Sequence, residues 1–394
     1  MVDPQPVPAR VHNIVAARAQ FGPWLDRLIA GLDRQDPLAD AALADLAPAG
    51  FARLDAALSG DHASPDLPPA VRQLLASVAA WPAWVDWRRV ERGCHLFLRA
   101  GLAGGLVLGL RSLPYGYAAP AGNKPLVFSG RLAEMAPRRL AETARFVTAV
   151  CEPGALERRG DAVTIALKVR LMHAQVRSLL LRSGRWRPEL WAAPINQHDM
   201  VATTLLFSQV FLDGLRLMGL RIDPAEGDDY IHLWRVVGWL LGVEDALMPD
   251  DERTARATAE AIYLTQGPPD RDSRALVAAL LAGPTQTART PAEQRRARVR
   301  VRISRQLCRH LLGNALADDL DVPHDRPAVV PGLLYGALAG LEHTRRSLPA
   351  LDRLAAAAGR RYWDAVLSVG LGGRPAEFAP PERLSSRTGP VRGP

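Results

Sequence analysis

Residues 168–177 read Lys168-Val-Arg-Leu-Met-His-Ala-Gln-Val-Arg177, and this stretch decides the fold. Arg170 precedes His173 by three residues and Arg177 follows it by four, so all three side chains share one face of a helix. An imidazole beside two guanidinium groups, set in an otherwise apolar helix, is what a haem pocket uses: an axial nitrogen for iron and cations for the propionates. The segment therefore predicts a helix that carries a candidate cofactor site.

The flanking sequence predicts an all-α fold. Apolar residues recur at helical spacing through most of the chain, whereas alternating strand-like runs are scarce. Proline and capping residues predict helices over 137–150 and 161–181. Two further helices are expected, one from Asn196 or Asp199 to about residue 219 and one over 230–241.

We divide the chain into three parts. Residues 1–80 hold short amphipathic segments broken by prolines and are expected to form an N-terminal helical layer packed on the core. Residues 81–374 form the main helical domain with the His173 segment. Residues 375–394 are rich in Pro, Arg, Ser and Gly, a composition typical of a disordered tail.

Charge and composition indicate a globular protein. The chain has 394 residues, 48% of them hydrophobic, and a formal net charge of +8 that comes almost wholly from arginine, since Lys124 and Lys168 are the only lysines. The charge is spread along the chain, so we expect no nucleic-acid partner. The arginine run over 295–305 favours a solvated helix face, and peripheral membrane contact is the alternative.

The cysteines and the N-terminus indicate a cytoplasmic location. Cys94, Cys151 and Cys308 are odd in number and far apart, so they are expected to be reduced thiols. The first ten residues lack the pattern of a signal peptide. The most apolar stretch, residues 101–110, is about half as long as a membrane span and predicts a buried helix.

A family resemblance emerges from several motifs taken together. They are Arg139-x-x-x-Thr143, Arg170-x-x-His173-x-x-x-Arg177, Pro194-Ile-Asn-Gln-His-Asp-Met200 and Tyr230-x-His232-x-Trp234-Arg235-x-x-Gly238-x-x-x-Gly242-Val243. The combination, spread over roughly residues 90–255, resembles the latex clearing proteins, which are rubber oxygenases, and the wider MpaB-type oxygenase superfamily.

The resemblance implies a globin-like helical core, with additional N- and C-terminal helices, that holds one non-covalent haem b. His173 would be the proximal ligand of the haem iron, with Arg170 and Arg177 orienting it or the propionates. Arg139 and Thr143 would lie near the pocket, where dioxygen is the co-substrate. The implied activity is that of a haem-dependent oxygenase, acting by oxidative cleavage of a C=C bond or by oxygenation on a hydrophobic, polyisoprenoid-like substrate.

Two positions depart from the rubber-cleaving members. Glu142, the third candidate catalytic residue, stands where those members have a lysine, and we expect it to pair with Arg139. Asn123 falls at the position of the family's proposed catalytic carboxylate. These departures leave a second hypothesis open, a non-catalytic helical protein that binds haem or a lipid.

Each candidate residue also has a purely structural interpretation. Arg170 and Arg177 could pair with buried acids such as Glu226 or Asp229. Thr143 could hydrogen-bond to its own helix backbone. His198, beside Asp199 near a helix start, is expected to cap or pack, and His232 and Trp234 are expected in the core or behind the site.

Overall fold

The computed structural model describes residues 8–46, 67–129, 132–158, 160–325 and 329–372, and the single positions 374, 376, 378 and 384. Within those residues the architecture is helical, and the β-structure consists of one isolated bridge between Val11 and Gln266. This confirms the all-α prediction. The predicted disordered tail, 375–394, lies almost wholly outside the described residues, and the three-part division of the chain stays a prediction.

The first helices form a layer at the N-terminal end of the chain. A one-turn 3₁₀ segment at Gly31–Asp33 joins the second helix to the third. Helix α3 packs on α4, and α1 packs on the later helix α14. The helices of this layer are α1 Ile14–Phe21, α2 Trp24–Ala30, α3 Pro37–Leu46 and α4 Pro69–Ser77.

A long helix at the centre of the molecule organises the core. The Asp86 side chain caps its N-terminus by accepting hydrogen bonds from the backbone N–H groups of Arg88 and Arg89. The helix passes into a π-helical turn at Leu108–Ser112. The helices of the central region are α5 Trp87–Val107, α6 Leu113–Ala118, α7 Lys124–Ser129, α8 Leu132–Val150, α9 Asp161–Arg182, α10 Pro188–Trp191, α11 Gln197–Phe207, α12 Gln209–Leu217, α13 Pro224–Leu240 and α14 Glu252–Thr265.

The remaining helices cover the other side of α5. The last of them, α19, crosses α5 so closely that a Cβ at Gly359 would lie 1.7 Å from the carbonyl oxygen of Leu98. Gly101, at φ +44°, breaks the regular geometry of α5 at the same crossing. The C-terminal helices are α15 Arg271–Thr287, α16 Pro291–Leu312, α17 Asn314–Asp319, α18 Val330–Ser347 and α19 Pro349–Leu371.

Several predicted helix boundaries are wrong by about one turn or more. Helix α8 begins at Leu132, so Pro137 lies inside it. Asn196 is the residue that caps α11, and the backbone breaks at Ser208, so the predicted helix to residue 219 is in fact α11 and α12. A proline or a cap marks where a helix can begin, whereas packing against neighbouring helices decides where it does begin.

Two helical stretches are long and apolar enough to be compared with membrane spans. They are Trp87–Ala118 and Gln197–Leu217, and 61% of the apolar window of each is buried inside the protein. Burial of this kind is typical of core helices, so within the described residues there is no clear membrane-spanning segment. The predicted buried helix at residues 101–110 is part of the first stretch. Cys94, Cys151 and Cys308 are free and buried, as expected for reduced thiols.

Candidate functional site

His173 lies near the middle of α9, which packs against α3, α8 and α13. Its Nδ1 atom is buried and has no hydrogen-bond partner among the described residues. Burial, with a contribution from the charge of Arg177, lowers the pKa of His173 to about 4. The ring is therefore neutral at physiological pH. A neutral imidazole without a partner keeps a lone pair for a metal ion.

Arg170 is almost fully buried one turn before His173. Its Nε and Nη2 atoms donate to the two carboxylate oxygens of Asp36 at 2.6 and 2.9 Å, and Nη1 lies 3.4 Å from the carbonyl oxygen of Leu240. Asp36 directly precedes α3, so this bidentate pair joins the N-terminal layer to α9 and to the end of α13.

Arg177 repeats this arrangement one turn after His173. Its Nε and Nη2 atoms donate to Oδ1 of Asp40 at 2.9 and 2.7 Å, and Nη1 lies 3.5 Å from the carbonyl oxygen of Ile195. Burial raises the pKa of Asp40, partly offset by the Arg177 hydrogen bond and charge. The two arginines on either side of His173 are thus both attached to one short helix, α3.

Arg170 and Arg177 pair with acids, but not with Glu226 or Asp229, the two acids named as possible partners. Glu226 accepts a hydrogen bond from Arg99, and Asp229 is held by Arg89 and Arg92. The reason is placement, because both acids lie in the first half of α13, against α5, where those three arginines lie. Contact of Arg170 and Arg177 with haem propionates stays a prediction.

Helix α8 carries the candidate catalytic residues. Glu142 pairs with Arg138, Nε to Oε1 at 3.3 Å and one turn apart. The expected pair of Glu142 with Arg139 stays a prediction. Thr143 is exposed, whereas Phe146 and Val147, later on the same helix, are buried. The side chain of Arg139 lies outside the described residues. The catalytic roles assigned to Arg139, Glu142 and Thr143 stay predictions.

An aromatic cluster lies between α8, α11 and α13. Trp234 is fully buried, stacks on Phe207 with ring centroids 5.0 Å apart, and meets Phe146 edge-on at 6.5 Å. Its Nε1 atom has no hydrogen-bond partner among the described residues. The placement of Trp234 in the core agrees with the sequence-based expectation.

Asn123 and His232 have structural partners. Asn123 Nδ2 donates to the carbonyl oxygen of Tyr117 and to Ser273 Oγ at 2.9 and 3.0 Å, so this buried amide ties α7 to α15. His232 Nε2 accepts the backbone N–H of Asp86 at 2.9 Å. The residue at the expected position of a catalytic carboxylate therefore serves packing here.

The residues that sequence reasoning missed are Asp36 and Asp40. The two acids are one turn apart, which was the only local signal that they serve a single purpose. Gly242 has φ +82°, and a Cβ there would lie 2.3 Å from Asp36 Oδ2 and 2.6 Å from Arg170 Nε. Glycine is needed at this position both for its backbone conformation and for the space occupied by the ion pair.

The chemistry of the available donors agrees with a haem group. Among the residues that the structure describes, no group of three or more His, Cys, Asp or Glu side chains could hold a metal ion by itself. A haem brings four nitrogen donors of its own and needs one axial ligand from the protein. His173, neutral and unpartnered, has the properties of such a ligand.

The fold and the site define a helical protein in which an unpartnered histidine lies near the middle of a core helix. The chain belongs to the family described as "ER-bound oxygenase mpaB/B'/Rubber oxygenase, catalytic domain", whose profile matches residues 87–341. This confirms the resemblance seen in the sequence.

Two known proteins illustrate the relationship. The rubber oxygenase of Streptomyces sp. (strain K30) is 28% identical over 214 residues, which is 54% of this chain and 51% of that protein, so the chain spans about half the length of this relative. The solved structure of latex clearing protein LCP in the closed state superposes with a TM-score of 0.69 at 23% identity, over 89% of this chain and 95% of that one. At that identity the likeness establishes the fold.

Proposed function

We propose that this protein is a haem b-dependent oxygenase that acts on an apolar, isoprenoid-like substrate. Family membership supports oxygenase chemistry. The observation that carries the haem assignment is His173, a neutral imidazole with a buried nitrogen that no described residue satisfies. Other buried polar atoms are also unpaired, but a histidine ring nitrogen is the one among them that is a common metal ligand, which supports the assignment.

His173 would hold the haem iron from α9. Because burial and the charge of Arg177 keep its pKa near 4, no proton competes for the ring nitrogen at neutral pH. When bound, haem b supplies the capacity to activate dioxygen for transfer to a carbon–carbon double bond. The protein supplies orientation and an apolar environment, to which Phe146 and Trp234 contribute.

Arg170 and Arg177 act in this proposal as positioning residues. Their guanidinium groups are engaged by Asp36 and Asp40, so they fix the rotation of α9 relative to α3 and with it the direction of the imidazole. A planar guanidinium bound at two points allows little rotation of the helix.

The test is the visible spectrum of the purified protein, with a pyridine haemochrome assay to count haem. We expect one b haem per chain in the wild type and none in His173→Ala. His232→Ala is the matched control, because His232 is also a histidine with a pKa of about 4 but has a hydrogen-bond partner. Full haem in a folded His173→Ala variant, or equal loss in both variants, would refute the assignment.

A non-catalytic haem- or lipid-binding protein is the second candidate function. It is favoured by Glu142, an anion paired with Arg138 beside the proposed pocket, and by Asn123, whose amide is used in packing. Oxygen consumption by the haem-loaded protein with an unsaturated isoprenoid separates the two. An oxygenase will consume oxygen, and Thr143→Val will lower the rate more than Thr148→Val on the same helix. A carrier will show no substrate-dependent consumption in any of the three proteins.

A further inference from the structure

A second site lies away from His173, between α6, α11 and α14. A cavity of about 130 Å³ opens there, with walls that include Leu205, Ala259 and Ile262. The rings of Tyr115 and Tyr263, with centroids 6.3 Å apart, also line it. None of its described lining residues belongs to α8 or α9. The cavity is thus separate from the proposed haem site and does not depend on it.

One buried polar group in the wall of this cavity is held in a fixed orientation. His198 is 5% exposed, and its Nδ1 atom lies 3.1 Å from Oδ1 of Asp199. The Asp199 carboxylate also accepts two hydrogen bonds from Arg10, at 2.9 and 2.7 Å, and one from Asn196 at 3.0 Å. Four contacts therefore hold the acid, and the acid holds the imidazole.

The carboxylate determines which nitrogen of His198 carries the proton. Burial alone would raise the pKa of Asp199, but the charge of Arg10 and the hydrogen bonds from His198 and Arg10 hold it far below its usual value. A carboxylate can only accept, so Nδ1 of His198 carries the proton shared with Asp199, and in the uncharged form of the ring the lone pair is on Nε2. The lone pair of Nε2 is left to accept a hydrogen bond, and no described residue donates one to it.

We propose that this cavity binds a small, uncharged, mostly apolar molecule whose single hydroxyl donates a hydrogen bond to Nε2 of His198. The size follows from the volume, since an apolar cavity of about 150 Å³ in another protein holds benzene. The chemistry follows from the walls, which offer mainly carbon and one oriented acceptor. The nearby cation, Arg10, is paired with Asp199, so a charged ligand would find no counter-ion in it.

Phenol and toluene are suitable probes because they have the same number of heavy atoms and differ at one hydroxyl. Their affinities can be measured by saturation-transfer NMR titration of the full-length protein. We expect phenol to bind several-fold more tightly than toluene. One neutral hydrogen bond contributes about 0.5–1.5 kcal/mol, which corresponds to roughly two- to ten-fold.

Two substitutions test the site and its acceptor separately. Ala259→Phe fills the cavity from α14 and will abolish binding of both probes. Ala257→Phe, two residues earlier on α14, is the matched control, because Ala257 lines a different pocket. His198→Phe keeps an aromatic ring in place but removes the acceptor, so it will reduce phenol affinity to that of toluene.

Three outcomes would overturn the proposal. They are no binding of phenol at millimolar concentration, equal binding to wild type and a folded Ala259→Phe variant, and an unchanged preference for phenol in His198→Phe. If Ala259→Phe fails to fold by circular dichroism, Ala202→Leu fills the same cavity from α11 and must abolish binding instead.

Discussion

His173 and His198 lie in the same helical core, but the residues beside the two rings differ in charge and in hydrogen bonding. The carboxylate of Asp199 lies beside His198 and fixes its ring by a hydrogen bond. Cations lie on both sides of His173, and Nδ1 has no described partner. The charges of those cations are balanced by Asp36 and Asp40, which bind the guanidinium groups.

The difference teaches that the residues beside a histidine, together with burial, determine what the ring can do. An acid beside one nitrogen orients the ring and leaves the other as a hydrogen-bond acceptor. Burial, together with the charge of Arg177, disfavours protonation of His173 and leaves one ring nitrogen to a metal ion. The acids that neutralise the two flanking arginines are Asp36, directly before α3, and Asp40, within it.

The largest expected effect comes from breaking the support of the His173 region. Asp36→Asn leaves the buried Arg170 without a carboxylate, and unpairing a buried charge costs about 3–5 kcal/mol. We expect that loss in the free energy of unfolding measured with urea. Glu244→Gln breaks a pair with Arg34 in which both side chains are more than a third exposed, so it should cost below about 1 kcal/mol. Equal losses of unfolding free energy in the two variants would show that the buried Asp36–Arg170 pair stabilises the protein no more than the exposed pair does.

Gly242→Ala tests the Asp36–Arg170 ion pair by adding a Cβ atom to the backbone beside it. A Cβ at φ +82° is strained by roughly 1–2 kcal/mol, and its collision with Asp36 and Arg170 adds about 1–3 kcal/mol. Gly22→Ala is the control, because Gly22 has φ +69° and no atom within 4 Å of the added Cβ. Gly22→Ala will therefore lose only the stability that the backbone strain costs. If both variants lose the same stability, the ion pair does not occupy the space that the structure assigns to it.

Acidification will distinguish His173 from a histidine without a shifted pKa. The pKa of His173 in the folded protein, about 4, is below its ordinary value of 6.5, so the unfolded chain binds the proton first. The contribution of His173 to stability is therefore complete above pH 6.5 and falls, by at most about 3 kcal/mol, as the pH drops toward 4.

The check is the free energy of unfolding of the haem-free protein across that range. His173→Phe will lose less stability on acidification than the wild type does. The free energy of unfolding of His173→Phe will still fall with pH, because the pKa of His232 is also lowered to about 4. If the free energy of unfolding changes with pH as much in His173→Phe as in the wild type, the pKa of His173 is not lowered by burial and Arg177.

The helical fold and the central position of His173 could be predicted because both are local. Helical spacing of apolar residues is visible in any short window of the chain, and so are the arginines three residues before and four after the histidine. The family motifs added positions on α8 and α13, and Gly242 just after the end of α13. Its cause, a close ion pair behind it, becomes visible only in three dimensions.

The partners of the site could not be predicted because they are distant in sequence. Asp36 and Arg170 are 134 residues apart, and Arg10 and Asp199 are 189 residues apart. No periodicity links such positions, and several acids of equal chemistry compete for each arginine. The pairing of Glu142 with Arg138 was also not predicted, because spacings of three and four residues are equally acceptable on a helix.

The most direct test of the central claim, that His173 holds a haem iron, is chemical rescue of His173→Gly. Removing the side chain leaves a space that can hold one imidazole molecule where the ring was. The account predicts that the purified variant lacks a Soret band after reconstitution with haem and regains it when millimolar imidazole is added. Haem binding by His173→Gly without imidazole, or wild-type protein that remains colourless after reconstitution, would contradict the account.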